Sequence, residues 1–374
     1  MKFQFIIFTL ISLSSCQFQT RECQTKADCF LGEICSEESC IKMFDLAVEE
    51  DLSTMPEEDL SSDSADLNRC NNGEINAGEK CDGADFAGLT CLSKGFDKGT
   101  LSCNSTCNAL STKHCYSVYN ELGAGFHHSC AIKKDGTLTC WGPNALGQTD
   151  SPAGFFQKVS VGSDFSCALK KTGEGQCWGY NSTGQTAFPG GTFSQVSSGE
   201  KHSCAIKTNG QLVCWGQNKN GKLDPPSGSF QNVSSGTNHS CAIKSDHTLH
   251  CWGDSFGGII DSPEGLFTQV SAGASQSCAI RTTGEMVCWG KNVTFLNPHP
   301  PGLFSQVSVG DFHTCAILTS GELNCWGENR QSQSTPPEGK FVQVKSGGWH
   351  SCAILEDGRA LCWGKDASRN QPPR

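Results

Sequence analysis

The chain has little charge, no basic excess and only one apolar run, and each shortage removes a class of function. Charged residues make up 18% of 374 and hydrophobic ones 36%, without sustained helical periodicity, which excludes a coiled coil. Lys and Arg number 28 against 38 Asp and Glu, so a net charge of −10 lacks the basic footprint of a nucleic-acid binder. The single apolar stretch, Phe3 to Leu13, is interrupted by Gln4, Thr9 and Ser12 and is too short to cross a bilayer as a stable helix. His-Glu-x-x-His and phosphate-binding glycine loops are missing, so neither an enzyme nor a bound cofactor is expected. The excess lies elsewhere, in 25 cysteines and 42 glycines. So many cysteines do not suit a reducing cytosol unless they bind metal, and the reading is an exported, disulfide-rich, all-β protein.

Met1-Lys2 followed by Phe3 to Leu13 reads as a secretory signal. It ends in Leu13-Ser14-Ser15-Cys16, which resembles the bacterial lipobox, in which the Cys is lipidated and becomes the mature N-terminus. Removing Cys16 from the count leaves 24, the even number that a full set of disulfides requires. Residues 1-15 are therefore expected to be a lipoprotein-type signal peptide. Cys16 would be the anchor, and the lipid the chain's only membrane contact. The expected location is the cell surface or outer membrane, otherwise the secreted fraction.

Residues 16-44 hold Cys23, Cys29, Cys35 and Cys40, a cluster too short to build a core without covalent staples. Residues 45-69 carry nine acidic side chains, from Asp45 to Asp66, and no Lys or Arg before Arg69. Like charges with nothing to bury make an extended tether, and the carboxylates lack the spacing of a calcium loop. Residues 70-115 hold Cys70, Cys81, Cys91, Cys103, Cys107 and Cys115. The opening Cys70-Asn-Asn-Gly-Glu-Ile-Asn-Ala-Gly-Glu-Lys-Cys81-Asp-Gly resembles small cysteine-rich modules of bacterial surface proteins. Zinc is disfavoured there, because the closest pair is Cys103-x3-Cys107 and no His sits at a ligand spacing. The pairing in both clusters stays open.

The remainder, 116-374, is periodic. Cys130, Cys167, Cys204, Cys241, Cys278, Cys315 and Cys352 recur every 37 residues. Each is followed ten residues later by a partner, Cys140, Cys177, Cys214, Cys251, Cys288, Cys325 and Cys362, and then by Trp-Gly. In the third repeat Val196 lies in a strand ending near Gly199, Ser203 to Lys207 forms a second, Thr208-Asn209-Gly210 a tight turn, and Gln211 to Trp215 the return. That register sets Cys204 opposite Cys214 and Ile206 opposite Leu212, close enough for a disulfide, with Ala205 leaving room for the Trp215 ring. A hairpin apolar on both faces must be sandwiched. About four short strands per repeat, stacked radially seven times, give a seven-bladed β-propeller. The Tyr119-to-Gly125 strand is expected to complete the last blade and close the ring.

The pattern Val196-Ser-Ser-Gly199-Glu-Lys-His202-Ser-Cys-Ala-Ile206 with Gly210-x-Leu-x-x-Trp215-Gly216-x-Asn218 resembles the repeat of the regulator of chromosome condensation family. The resemblance spans 116-374 and implies a seven-bladed propeller. The family includes a nuclear exchange factor for a small GTPase and a secreted bacterial β-lactamase inhibitor. The exporting N-terminus speaks against the first role here. The second implies that such a disc can bind proteins outside the cell. Paired cysteines stand where the family carries aliphatic residues.

His128, His202, His239, His313 and His350 share one repeat position, with Phe165 and Gln276 in the other two blades. They read as scaffold, too far apart for one metal ion. The propeller balances 19 basic against 19 acidic residues, while residues 1 to 115 hold 9 against 19. An electroneutral disc suits an extracellular or envelope protein or glycan partner, not nucleic acid. The alternative is a polysaccharide-active hydrolase or lyase, which would gather carboxylates at the channel mouth; the repeats show no such concentration. Gly-x-x-His and the segment after Trp-Gly are expected on one face. There Phe126, Phe312 and Trp349 would form a binding patch or else cap the channel. Phe256, Ile259, Ile260, Phe295 and Leu296 offer a rival patch.

Overall fold

The computed structural model describes residues 70–291, 300–365 and 371–372, together with the backbone of 33–36 and 39–42. The chain divides into two units, Met1–Ser64 and Ala65–Arg374. In the first, strand Glu33–Ser36 runs antiparallel to Ser39–Lys42, with Cys35 opposite Cys40. The expected signal peptide, the Cys16 anchor, Cys23, Cys29 and the acidic tether lie outside the described residues, as do Phe295 and Leu296.

The second unit begins with a module of two antiparallel strands, Lys98–Cys103 and Leu110–Tyr116. Three disulfides staple it: Cys70–Cys107, Cys81–Cys103 and Cys91–Cys115. The sulfurs of Cys70, Cys103 and Cys107 gather closely enough for a metal, but all three are committed to disulfides. Its core is small, with Cys91, Leu101 and Cys115 buried and Phe86, Leu89, Phe96 and Leu110 around them. The Asp97 carboxylate accepts a hydrogen bond from the Val118 N–H at 2.7 Å and so ties the module to the first propeller strand.

Seven three-stranded antiparallel sheets follow, each built from one stretch of chain. In blade three the strands are Phe193–Ser198, His202–Lys207 and Leu212–Gly216. The register places Cys204 opposite Cys214, Ile206 opposite Leu212 and Val196 opposite Ala205. Gly210 turns the hairpin at φ +86°, in the left-handed region that the tight turn requires. Cys204–Cys214 is disulfide-bonded with 4.1 Å between Cα atoms, and the other six hairpins carry the equivalent bond.

Both faces of each hairpin are buried. Val196, Ala205 and Trp215 pack on Phe165, Cys167 and Leu169 of blade two. Cys204 and Ile206 pack on Phe230, Val233, Ala242 and Trp252 of blade four. The first strand of each blade lines the central channel.

Two expectations are corrected. A blade has three strands, not four. After Trp-Gly the chain folds into a loop closed by an Asn side chain, as where Asn181 Oδ1 accepts from the Thr186 N–H at 3.0 Å. A proline then follows, Pro189 in this loop, with no N–H to give a ladder. Second, Tyr119–Ala124 does not complete blade seven; it pairs within blade one, Leu122 opposite Ala131. Every sheet is already complete in its own repeat, so no vacancy awaits the N-terminal strand. The ring closes face to face: Tyr119, Leu122, Ala131 and Trp141 pack on Cys352, Ile354 and Cys362. The Leu122 N–H donates to Gln343 Oε1 at 2.7 Å across the same seam.

Candidate recognition face and channel mouth

The Gly-x-x-His turns build one end of the channel. An ideal Cβ on each of Gly125, Gly162, Gly199, Gly236, Gly273, Gly310 and Gly347 would fall within 2.5 Å of the carbonyl oxygen of the next blade's glycine. Only glycine lets the blades approach this closely. The following N–H groups bridge the blades: Thr237 N donates to Gly273 O at 3.2 Å, Asp311 N to Gly347 O at 3.3 Å, and Gly348 N to Gly125 O at 3.2 Å.

Behind this belt the shared histidine position forms a second ring of bonds. His128 Nε2 shares a hydrogen bond with Ser166 Oγ at 2.8 Å, His202 with Ser240 at 2.9 Å and His239 with Ser277 at 2.7 Å. His313 bonds Ser351 at 2.6 Å, and His350 bonds Ser129 at 2.7 Å across the closing seam. Gln276 plays the same part toward Thr314 at 2.7 Å, whereas Phe165 fills the place with a buried ring. Burial holds these imidazoles neutral, pushing His128, His202 and His313 down to about 3 and His239 and His350 to about 4. Each works as a clasp between blades.

The loops after Trp-Gly lie beside these turns, since the Gln217 N–H donates to Lys201 O at 2.8 Å. Five of these loops present a carbonyl to the next blade's tryptophan, as where Trp178 Nε1 donates to Gln148 O at 3.0 Å and Trp215 Nε1 to Gln185 O at 2.9 Å. In blade three the buried glutamine is replaced by Lys222, 1% exposed, whose pKa burial lowers. Its Nζ reaches Gln217 Oε1 at 3.4 Å and Thr237 O at 3.3 Å.

The mouth encloses a cavity of about 150 Å³, lined by the glycine belt with Phe126, Ser163, Glu200, Thr237 and Asp311. Glu200 of blade three and Asp311 of blade six thus come to one cavity, which corrects the expectation that no carboxylates gather there. Burial, reinforced by the Glu200 charge, pushes Asp311 up to about 6. Single-chain reading missed the pair because 111 residues separate the two. The signal was present, since three repeats of 37 residues put both at the position after the belt glycine.

The aromatic residues divide. Phe312 and Trp349 stack with ring centroids 4.2 Å apart at 31°, and Phe312 is 39% exposed. Neither lines the cavity. Phe126 does, its ring against the Gly348 backbone and edge-on to His127 at 4.4 Å. Phe256 is the most exposed of the group at 66%, with Lys291 Nζ 4.3 Å from its ring centroid. Ile259, expected in the same patch, is buried; its carbonyl accepts from Trp289 Nε1 at 2.9 Å, the role the buried glutamine has in other blades.

At the opposite end a cavity of about 450 Å³ is ringed by Gln195, Asn232, Gln269, Gln306 and Gln343. Their amide oxygens accept backbone N–H groups of the next blade, as Gln269 does from Val307 at 2.8 Å and Gln306 from Val344 at 2.6 Å. This amide ring satisfies the inner strand edges. Lys158 and Glu121 replace two of its members and pair at 3.4 Å.

The sequence profile of the Regulator of chromosome condensation (RCC1) repeat matches residues 121–148, 156–185, 193–222, 230–258, 267–293, 304–333 and 341–371. No curated protein matches the chain in sequence. Among solved structures the fold is similar to the entire ectodomain of the Physcomitrella patens receptor kinase CR4, at 22% identity and TM-score 0.59 over 67% of this chain and 74% of that one. The ectodomain of the Arabidopsis thaliana receptor kinase ACR4 gives 22% identity and TM-score 0.56 over 67% and 98%. Prp20p from Saccharomyces cerevisiae, described with its binding to Gsp1p and histones, gives 16% identity and TM-score 0.53 over 62% and 81%.

Proposed function

Because the chain belongs to the Regulator of chromosome condensation (RCC1) repeat family, we propose that it is a recognition propeller working outside the cytosol, held to a membrane by lipid on Cys16. The carrying observation is the stacked Phe312–Trp349 pair on the loops beside the channel mouth, with Phe312 exposed and Trp349 half-buried. Large aromatics left accessible on loops are common interface anchors. The disulfide in every hairpin fits an oxidising compartment. Receptor-kinase ectodomains and Prp20p, with its partners Gsp1p and histones, have the same fold, which is in keeping with a protein-binding disc. We take the ligand to be an extracellular or envelope protein, with a glycan as the second candidate.

One observation favours the enzymatic alternative, the meeting of Glu200 and Asp311. Against it, their cavity of about 150 Å³ is below the roughly 300–1,000 Å³ of pockets that enclose small organic ligands. A cavity of this size does not enclose a sugar chain.

Replacing Phe312 and Trp349 together by Ala should weaken capture of an envelope protein by about 2 kcal/mol, with the melting transition kept. Unchanged capture by the folded variant would remove this face from the reading. Cleavage in a glycan-degradation screen, lost in Asp311→Asn, would favour the enzyme instead. Cys16→Ser should abolish labelling by a fatty-acid analogue; equal labelling of that variant would exclude Cys16 as the anchor.

A further inference from the structure

We propose that the channel mouth is a socket for one basic side chain, a Lys or Arg carried on a partner protein's loop next to an apolar residue. Glu200 and Asp311 would face its charge, and Phe312 and Trp349 its neighbour. The inference rests on the protein-binding reading above and names the chemistry of the partner.

Three observations carry it. The cavity of about 150 Å³ is sized for the head of one side chain, not for a small molecule. Its two carboxylates come from opposite parts of the ring and are incompletely neutralised. Among the described residues Glu200 makes an ion pair only with Lys201 at 3.6 Å, a rim pair whose side chains are 35% and 45% exposed and which contributes little, while the buried Lys222 also feels its charge. Lys345 lines the cavity from the inner strand of blade seven, and His127 lies exposed beside Phe126. Asp311 remains shifted up by burial and by Glu200, and an incoming cation would relieve that cost. Finally, Asp311 precedes Phe312 in the chain, so one turn presents the charge and one ring of the stacked pair, while the equivalent turn of blade seven supplies Trp349.

A divalent cation fits less well. Calcium takes about 6–8 oxygen ligands. The carbonyls of Gly125, Gly236, Gly273 and Gly347 already accept backbone N–H groups from adjoining blades. Three belt carbonyls and two carboxylates, spread around the ring, are then left to supply the shell.

The test uses cyclic heptapeptides selected from a displayed library on the purified protein at pH 7. Binders should carry Arg or Lys beside an aromatic or aliphatic residue. Replacing that Arg by citrulline, which changes no protein residue, should raise the dissociation constant at least tenfold. Glu200→Gln with Asp311→Asn should do the same to the original peptide, and citrulline should then cost nothing further. Affinity should also fall at pH 5, where Asp311 is protonated. Binders without a basic residue, or insensitive to both citrulline and the charge variant, overturn the proposal. If such binders still weaken in Phe312→Ala with Trp349→Ala, the recognition face survives without its socket. If they do not, or if the library yields no binder, both fall. Calcium binding by calorimetry that disappears in the charge variant would overturn the proposal in favour of a metal site.

Discussion

The six-cysteine module and the propeller are both stapled by disulfides, yet the bonds do different work. In the module they close stretches of 37, 22 and 24 residues around a core in which Leu101 is the one buried hydrophobic residue besides the bridging cysteines. In the propeller each closes only ten residues, within a hairpin already fixed by its ladder and packed on both faces. The first region has little besides its bridges. The second is held by blade-to-blade packing, the glycine belt, the histidine clasps and the amide ring. A disulfide therefore matters in proportion to what else orders the segment it closes.

The largest expected effect tests the module side of this contrast. Cys81→Ser with Cys103→Ser removes about 3–4 kcal/mol by the chain-entropy relation, more than so small a core supplies. Limited proteolysis should then cut within residues 70–115 while the propeller stays intact; a protected module would break the comparison.

Next comes the belt. Gly199→Ala drives a methyl directly onto the Gly236 carbonyl, backbone that cannot yield without moving a blade. A loss of about 3 kcal/mol in denaturant unfolding is expected, although no apolar contact or disulfide is removed. A loss under about 0.5 kcal/mol, the ordinary surface range, would show that the blades are not held this closely.

Removing a single hairpin bond, Cys204→Ser with Cys214→Ser, should cost about 2 kcal/mol, somewhat below the entropic value because the ladder keeps the register. The propeller should remain folded, with a lower urea midpoint. Loss of the fold would put the propeller in the same class as the module.

The smallest effect concerns pH. The buried histidines are neutral in the folded state, whereas an exposed imidazole takes up a proton near pH 6.5. Between pH 6.5 and about 3–4 the unfolded chain binds more protons than the native one, so stability falls with pH across that window. Asp311, shifted up to about 6, acts in the opposite direction but is one group against five. His350→Gln copies Gln276 and can keep the bond to Ser129 while removing one titrating group. Its urea midpoint should drop less than the parent's between pH 7 and pH 4. An equal drop would assign the acid sensitivity elsewhere.

What could be read from the chain followed the range of the interactions. The hairpin register from Cys204 and Cys214, the turn at Gly210 and the burial of both faces are settled within some twenty residues, where alternation and turn chemistry act. Repetition at 37 residues then multiplied one hairpin into seven blades. The closing of the ring was misread because strand pairing and face packing leave the same apolar pattern on Tyr119 and Leu122; only the register with Lys133 and Ala131 separates them. Ile259 was misread for a related reason: a loop residue whose carbonyl meets the next blade's indole is indistinguishable, in sequence, from an exposed one.

The sequence by itself determined the blade, its staples and the number of blades, because those depend on neighbours along the chain and on period. Tertiary structure alone decided which side chains meet across the ring. Glu200 faces Asp311 and Phe126 lies against Gly348 because seven blades turn the chain through a closed circle. Distance around that circle is not distance along the sequence, so the chemistry of the channel mouth exists only once the last blade has packed against the first.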